Sequence, residues 1–213
     1  IKKEYNDQID EQRLLEKFGK TFVNKSRLKA LQNAVKEKYQ VAIFDDGLQD
    51  KEISYDLSFV CFNQKNLLGN GRMIPAGPLR ENLTKLIKYE NIFLNGNNED
   101  CEHLKNKMNL KLTNLNFYCS AYKPLNLDQF NVNEKYIVFS GIGNHDTFVD
   151  MLNKYKFNII QEIQYPDHYE YSKNDIKKIL EKSTLNSARI LTTEKDYLRL
   201  DENLKKNIEL IKK

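Results

Sequence analysis

Residues 20–44 read KTFVNKSRLKALQNAVKEKYQVAIF, and the apolar run at the end stops on Asp45–Asp46–Gly47. This predicts a short strand at 20–23, a helix N-capped by Ser26 and reaching residue 39, and a second strand at 41–44. Leu28, Leu31, Val35 and Tyr39 share one helical stripe. The run 41–44 shows no polar alternation, so both of its faces call for cover, as in a parallel sheet. Strand, helix and strand in this order form a βαβ unit, which commits the chain to an α/β fold.

The rest of the chain keeps that rhythm. Strands are expected at 57–62, 91–94 and 116–119. The polar stretch KPLNLDQFNVNEK at 123–135 contains Pro124 and marks a domain boundary. The expected division is a first domain at 1–124 and a smaller α/β domain at 125–213. In the second, YIVFSGIGNHDTFVDMLNKY reads as strand, glycine turn and helix. A strand at 157–163 follows. The helix YSKNDIKKILEK comes next, with Ser172 and Asp175 at capping-box spacing. Another strand is expected at 188–191.

Composition excludes several classes. The 213 residues are 40% hydrophobic and 30% charged, a globular balance. A net charge of +4, with Lys spread along the chain, gives no nucleic-acid footprint. No run approaches the roughly 18 apolar residues of a membrane span. Cys61 and Cys119 lie in apolar runs and are expected as buried free thiols of a reducing compartment, since Cys61, Cys101 and Cys119 show no CxxC spacing.

Five stretches carry chemistry-bearing residues. Asp45 and Asp46 end a predicted strand, where ligands of open α/β sheets bind, and acids there hold Mg²⁺ beside nucleotide phosphate. The alternative is a turn cap and a solvated acid. The block LLGNGRMIPAGPLREN at 67–82 has three glycines and two prolines, the marks of a rigid irregular loop. Its Arg72 and Arg80 can clamp phosphate or carboxylate. SGIGN at 140–144 is a tight turn that opens a helix, with or without a ligand. In QYPDHYEY at 164–171, Asp167 stands beside His168, a pair able to move a proton near neutral pH or to stay structural. TTEKD at 192–196 either caps the next helix through Thr192 or Thr193 or contacts a ligand.

Taken in order, DDGLQ, GNGRMIPAGPLRE, SGIGN, YPDHYEY and TTEKD resemble the tetraacyldisaccharide 4′-kinase family, over residues 9–197. The resemblance implies a P-loop-kinase-like parallel sheet with helices, truncated at its N-terminus, plus a second smaller α/β domain. It implies transfer of the ATP γ-phosphate, with Mg²⁺, to the 4′-hydroxyl of a tetraacylated glucosamine disaccharide 1-phosphate, a lipid A precursor. The implied setting is a monomer in peripheral contact with the cytoplasmic face of the bacterial inner membrane. Asp45 and Asp46 look like the Walker B pair, with Gln49 in the same motif. Asp10, in IDEQ at 9–12, matches the carboxylate that activates the hydroxyl, with His168 assisting and Asp167 orienting. Arg72, Arg80 and Glu81 match the loop on the lipid-binding side. Gly141, Gly143 and Asn144 match the turn of the second domain.

Ile9, Asp50, His145 and Tyr169 depart from the family pattern, which has Gly, His, Pro and His there. Residues 1–30 contain no GxxxxGKS/T, and the Gly19–Lys20–Thr21 triplet follows Asp10 instead of preceding it. The chain is therefore expected to be a fragment that does not turn over by itself. The rival expectation is a non-catalytic remnant that binds lipid or nucleotide.

Overall fold

A computed structural model of the protein describes residues 1–3, 9–97, 100–108 and 115–212, the side chains of residues 3 and 9–11 excepted. The chain divides into two compact units, Ile1–Ser54 with Pro124–Lys213, and Tyr55–Lys123. One boundary falls between Lys123 and Pro124, inside the polar stretch 123–135. The boundary after Ser54 has no counterpart in the sequence reading, because what assigns the first 54 residues is contact at long range.

In the first unit, β1 (Lys2–Lys3) pairs in parallel with β2 (Val23–Asn24). The segment carrying Asp10 is a helix, α1 (Ile9–Glu16). Ser26 caps α2 (Arg27–Lys36), accepting from the Lys29 amide as its spacing predicts. The buried face of α2 is nevertheless Arg27, Ala30 and Ala34, whereas Leu28, Val35 and Tyr39 are exposed. The small alanines allow a closer approach than the larger stripe would.

Residues 41–44 form no strand. The Ile1 amino group donates to the Ile43 carbonyl, and the Asp45 amide donates to the Ile1 carbonyl at 3.0 Å. Val41 and Ile43 remain 77% and 81% exposed. A continuous apolar run becomes an interior strand only where neighbours extend its ladder and cover its faces, and here the face of Val41 and Ile43 is open among the described residues.

The second half of this unit is a four-stranded parallel sheet in the order β7-β6-β8-β9. The strands are β6 (Lys135–Ser140), β7 (Asn158–Gln164), β8 (Arg189–Thr193) and β9 (Glu209–Ile211). Between them run α4 (His145–Lys154), α5 (Lys173–Asn186) and α6 (Glu194–Arg199). Tyr136, Ile137, Val138 and Phe139 of β6 are all fully buried. Ile137 and Phe139 pack with Ile176 and Ile179 of α5. Each such side chain contributes about 1.5–3 kcal/mol of transfer free energy. Ser172 and Asp175 form the expected capping box on α5. The edge strand β9 was not legible in sequence. It is held by Asn126, which donates to the Leu210 carbonyl at 3.0 Å and accepts from the Lys212 amide at 3.0 Å.

The other unit holds a three-stranded parallel sheet of β3 (Phe59–Asn63), β4 (Asn91–Gly96) and β5 (Asn116–Ala121), with α3 (Cys101–Met108) after β4. Ile92 and Leu94 pack under Leu86, Leu104 and Met108. The expectation of buried free thiols is corrected here: Cys119 is bonded to Cys101, and Cys61 is an exposed thiol. The β4–α3–β5 crossover lays the start of α3 against β5, with the two Cα atoms 5.5 Å apart. The number of intervening residues alone does not reveal that approach.

Candidate active site

The order β7-β6-β8 places successive connections on opposite sides of β6, so a switch point lies at the carboxyl ends of β6 and β8, where open α/β sheets bind ligands. SGIGN leaves β6 at that end, and TTEKD leaves β8 there. Thr193 takes the capping role left open by the sequence, accepting from the Asp196 amide at 3.1 Å.

Asp196 is fully buried and ties the two turns together. Its carboxylate accepts from the Gly141 amide at 2.9 Å, the Tyr171 hydroxyl at 2.8 Å and the Thr193 hydroxyl at 2.6 Å. Arg199 Nη1 completes the shell at 3.1 Å. A buried carboxylate is tolerated only with such a set of donors. Burial and the Asp196 charge push the Tyr171 phenol far above its ordinary value. Gly141 has no room for a side chain, since a Cβ would lie 3.0 Å from the Pro166 carbonyl and from the Tyr171 hydroxyl.

The strand β7 delivers Asp167 and His168 to the same end. His168 has φ of 58°, an αL conformation infrequent outside glycine. It is held there by its amide, which donates to the Gly141 carbonyl at 3.1 Å and to Asp167 Oδ1 at 3.0 Å. The ring is partly exposed, with Nδ1 3.4 Å from Arg199 Nη2 and Nε2 3.9 Å from Asp167 Oδ2. A Cβ on Gly143 would come within 3.2 Å of Asp167 Oδ2, so the turn and the acid pack closely. Asn144 stands at the N-cap of α4 but makes no side-chain capping bond. Thus Gly141, Gly143, Asp167 and His168 are gathered at one place. Asp196 is the last residue of the TTEKD stretch, whereas Arg199, which helps to organise the site, lies outside every stretch read from sequence. The only mark of Arg199 there is its i, i+3 spacing from Asp196 in a helix opening directly after a strand.

Asp45 and Asp46 belong to the same unit. Lys2 Nζ is 3.0 Å from Asp45 Oδ2, and Arg27 Nη2 donates to the carbonyls of Asp45 at 3.3 Å and Asp46 at 2.7 Å. Asp46, like His168, has positive φ, at 53°. Gln49 is exposed on the following turn. Among the described residues, no group of three or more His, Cys, Asp or Glu is placed to hold a metal ion. Two adjacent carboxylates still suit Mg²⁺, which binds through one or two carboxylates and completes its shell with water and phosphate oxygens.

Asp10 lies on α1, which packs against α6, and Lys17 of the following turn reaches Glu194 at 2.8 Å. The Asp10 side chain falls outside the described residues. Arg72, Arg80 and Glu81 belong to the other unit. Their loop is tightly self-bonded: Asn70 donates to the Ala76 carbonyl at 2.7 Å, and the Leu79 amide to the Arg72 carbonyl at 3.1 Å. Gly69 and Gly71 have φ of 57° and 72°, and a Cβ on Gly69 would meet Pro78 at 2.5 Å. This rigid scaffold presents Arg72 and Arg80 to solvent, while Glu81 sits 3.5 Å from Lys85.

The model of the family described as "Tetraacyldisaccharide-1-P 4'-kinase" matches residues 3–211. The chain belongs to this family. A tetraacyldisaccharide 4′-kinase of Pelagibacter ubique is 53% identical over 207 residues, covering 97% of this chain and 66% of the relative. One of Rickettsia bellii is 32% identical, covering 91% of this chain and 59% of the relative. The chain thus spans slightly under two thirds of the length of these curated relatives. In fold it is similar to a crystal structure of LpxK from Aquifex aeolicus in complex with ATP. The TM-score is 0.58 at 23% identity, over 89% of this chain and 57% of that one.

Of the four residues read from sequence as departures from the 4′-kinase pattern, three have side chains whose contacts are described. His145 is buried, with Nδ1 2.7 Å from Ser140 Oγ. Tyr169 stacks on Tyr165 at 4.7 Å and donates to Asp175 at 3.2 Å. Asp50 lies 3.8 Å from Arg27, beneath the Asp45–Asp46 turn. Ile9 opens α1.

Proposed function

We propose that this chain carries the hydroxyl-activating part of an ATP-dependent kinase. The acceptor is the 4′-hydroxyl of a tetraacylated glucosamine disaccharide 1-phosphate, a precursor of lipid A. The observation that carries this reading is the gathering of two family blocks, SGIGN and YPDHYEY, around His168 at the sheet's switch point. In this reading Asp10 accepts the hydroxyl proton as the new P–O bond forms. His168 supports that carboxylate, and Asp167 orients His168. Such assistance is typically worth about 10²- to 10⁴-fold. That α1 packs on α6, the helix bearing Arg199, supports the pairing of Asp10 with His168.

Asp45 and Asp46 would hold Mg²⁺, with Gln49 in the same turn. When bound, Mg²⁺ offsets the charge of the phosphates and that of the two acids. The turn of Gly141, Gly143 and Asn144 shapes the floor of the site. Arg72 and Arg80 meet the acidic groups of the substrates, with Glu81 beside them. Among the described residues no helix is long and apolar enough to cross a membrane, so contact with the cytoplasmic face of the inner membrane would be peripheral. A monomer suffices for this chemistry.

The test is the complete gene product with ATP, Mg²⁺ and the disaccharide 1-phosphate. The expected product carries a new phosphate on the 4′-oxygen, and residues 1–213 by themselves are expected to make none. A folded complete protein that binds the lipid but transfers no phosphate would overturn the kinase reading in favour of a binding remnant.

A further inference from the structure

We infer that Arg199, held by Asp196, is a positioning residue that sets the tautomer and direction of the His168 ring. The inference rests on the kinase reading for its consequence, but not for its geometry. A guanidinium has only donors. Nη2 lies 3.4 Å from His168 Nδ1, so Nδ1 is the acceptor and the neutral ring carries its proton on Nε2. The same guanidinium donates through Nη1 to the Gly141 carbonyl at 2.6 Å and to Asp196 Oδ1 at 3.1 Å. The side chain is nine-tenths buried, and its Asp196 partner wholly so. A planar fork fixed at one end by a buried carboxylate has little freedom at the other.

The consequence is a division of labour. With Nδ1 occupied, His168 presents an N–H at Nε2, on the side where Asp167 Oδ2 lies 3.9 Å away. The ring then serves as a hydrogen-bond donor to a carboxylate and not as the base that takes the hydroxyl proton. In the kinase reading, proton acceptance is then left to Asp10. Charged groups facing the ring among the described residues include Asp167 from its own loop and Arg199 from α6. The same fork grips Gly141, whose carbonyl also accepts from the His168 amide at 3.1 Å. One side chain therefore couples the SGIGN turn, the histidine loop and α6.

The experiment reads the ring directly. In ¹⁵N-labelled complete protein, at a pH where His168 is neutral, its imidazole nitrogen shifts should report the Nε2–H tautomer in large excess. Arg199→Met removes the donor and should bring the Nδ1–H form to a comparable population. Arg199→Lys retains the charge opposite buried Asp196 and so protects folding. An ammonium lacks the fork, so this variant should fall between the two. In the kinase assay, Arg199→Met should lower kcat at least tenfold with the KM for ATP changed less than twofold, and Lys should restore part of kcat. A wild-type ring protonated mainly on Nδ1, or a tautomer ratio unmoved in both variants, overturns the inference. So does a shifted tautomer with unchanged kcat. If the tautomers behave as expected but the wild type transfers no phosphate, the kinase reading fails and the hold of Arg199 on the ring stands.

Discussion

Asp196 lies in the first turn of the helix after β8, and Asp45 directly follows the apolar run 41–44; their surroundings are opposite. Asp196 is wholly buried and takes hydrogen bonds from Gly141, Tyr171, Thr193 and Arg199. The Asp45 side chain is 46% exposed, with Lys2 as its charged neighbour at 3.0 Å. The strand before Asp196 is flanked by β6 and β9, and those neighbours bring donors to its end. The run before Asp45 leans on Ile1 and leaves Val41 and Ile43 in solvent. A carboxylate in the first setting organises protein. One in the second is half exposed, so that an outside cation can reach it.

The largest expected effect separates the two. Asp196→Ala strands a buried guanidinium and three further donors, and should destabilise the first unit by about 3–5 kcal/mol in chemical denaturation. Asp46→Asn preserves a side chain tolerant of positive φ and should change stability by under about 1 kcal/mol. If Asp196→Ala proves as mild as Asp46→Asn, the contrast is wrong.

Activity should invert the ranking. In the complete protein, Asp45→Asn and Asp46→Asn should each lower kcat on the order of 10²-fold at saturating Mg²⁺, as expected for loss of one preorganised electrostatic group. Near-normal kcat in both variants would withdraw the Mg²⁺ assignment.

Gly141→Ala forces a methyl against the Pro166 carbonyl and the Tyr171 hydroxyl, each at 3.0 Å. A loss of about 1–3 kcal/mol in thermal or chemical unfolding is the expected cost of overpacking. A neutral result would mean that the SGIGN turn yields easily.

Smaller still is a pH effect. Burial holds the His145 imidazole below its ordinary value, with Glu162 partly opposing. Its folded value is the lower one, so the unfolded chain takes up the proton first. That contribution to stability is present above about pH 6.5 and is lost as the pH falls. The slope should not exceed about 1.4 kcal/mol per pH unit. Denaturation between pH 7.5 and 5.5 should show a flatter profile in His145→Gln, and an unchanged slope would exclude this histidine as its source.

Arg72→Lys and Arg80→Lys should raise KM several-fold while leaving Tm unmoved, because both side chains are exposed on a scaffold built by Asn70, Gly69 and Gly77. A fall in Tm with unaltered kinetics would make these arginines part of the scaffold.

Local chemistry explains which parts were legible in sequence. Ser26 and Ser172 cap their helices as spaced, because a hydroxyl reaching an amide two or three residues on needs no distant partner. The strands before SGIGN and TTEKD read correctly, since each is an apolar run that a helix follows closely. The family, too, was legible, because it resides in ordered motif blocks. Other features depended on partners far along the chain. Residues 41–44 satisfy every local rule for a strand, yet their form is decided by what lies beside them. Cys101 and Cys119 met through a crossover, and β9 through Asn126, 84 residues from Leu210. Arg199 is ordinary in sequence, and Asp196 is marked there only as the last residue of TTEKD. Their importance comes from the switch point, where Gly141 stands 55 residues from Asp196 and His168 31 residues from Arg199. Only the folded sheet brings them within hydrogen-bonding range, because a buried charge draws its partners from whichever strands end beside it.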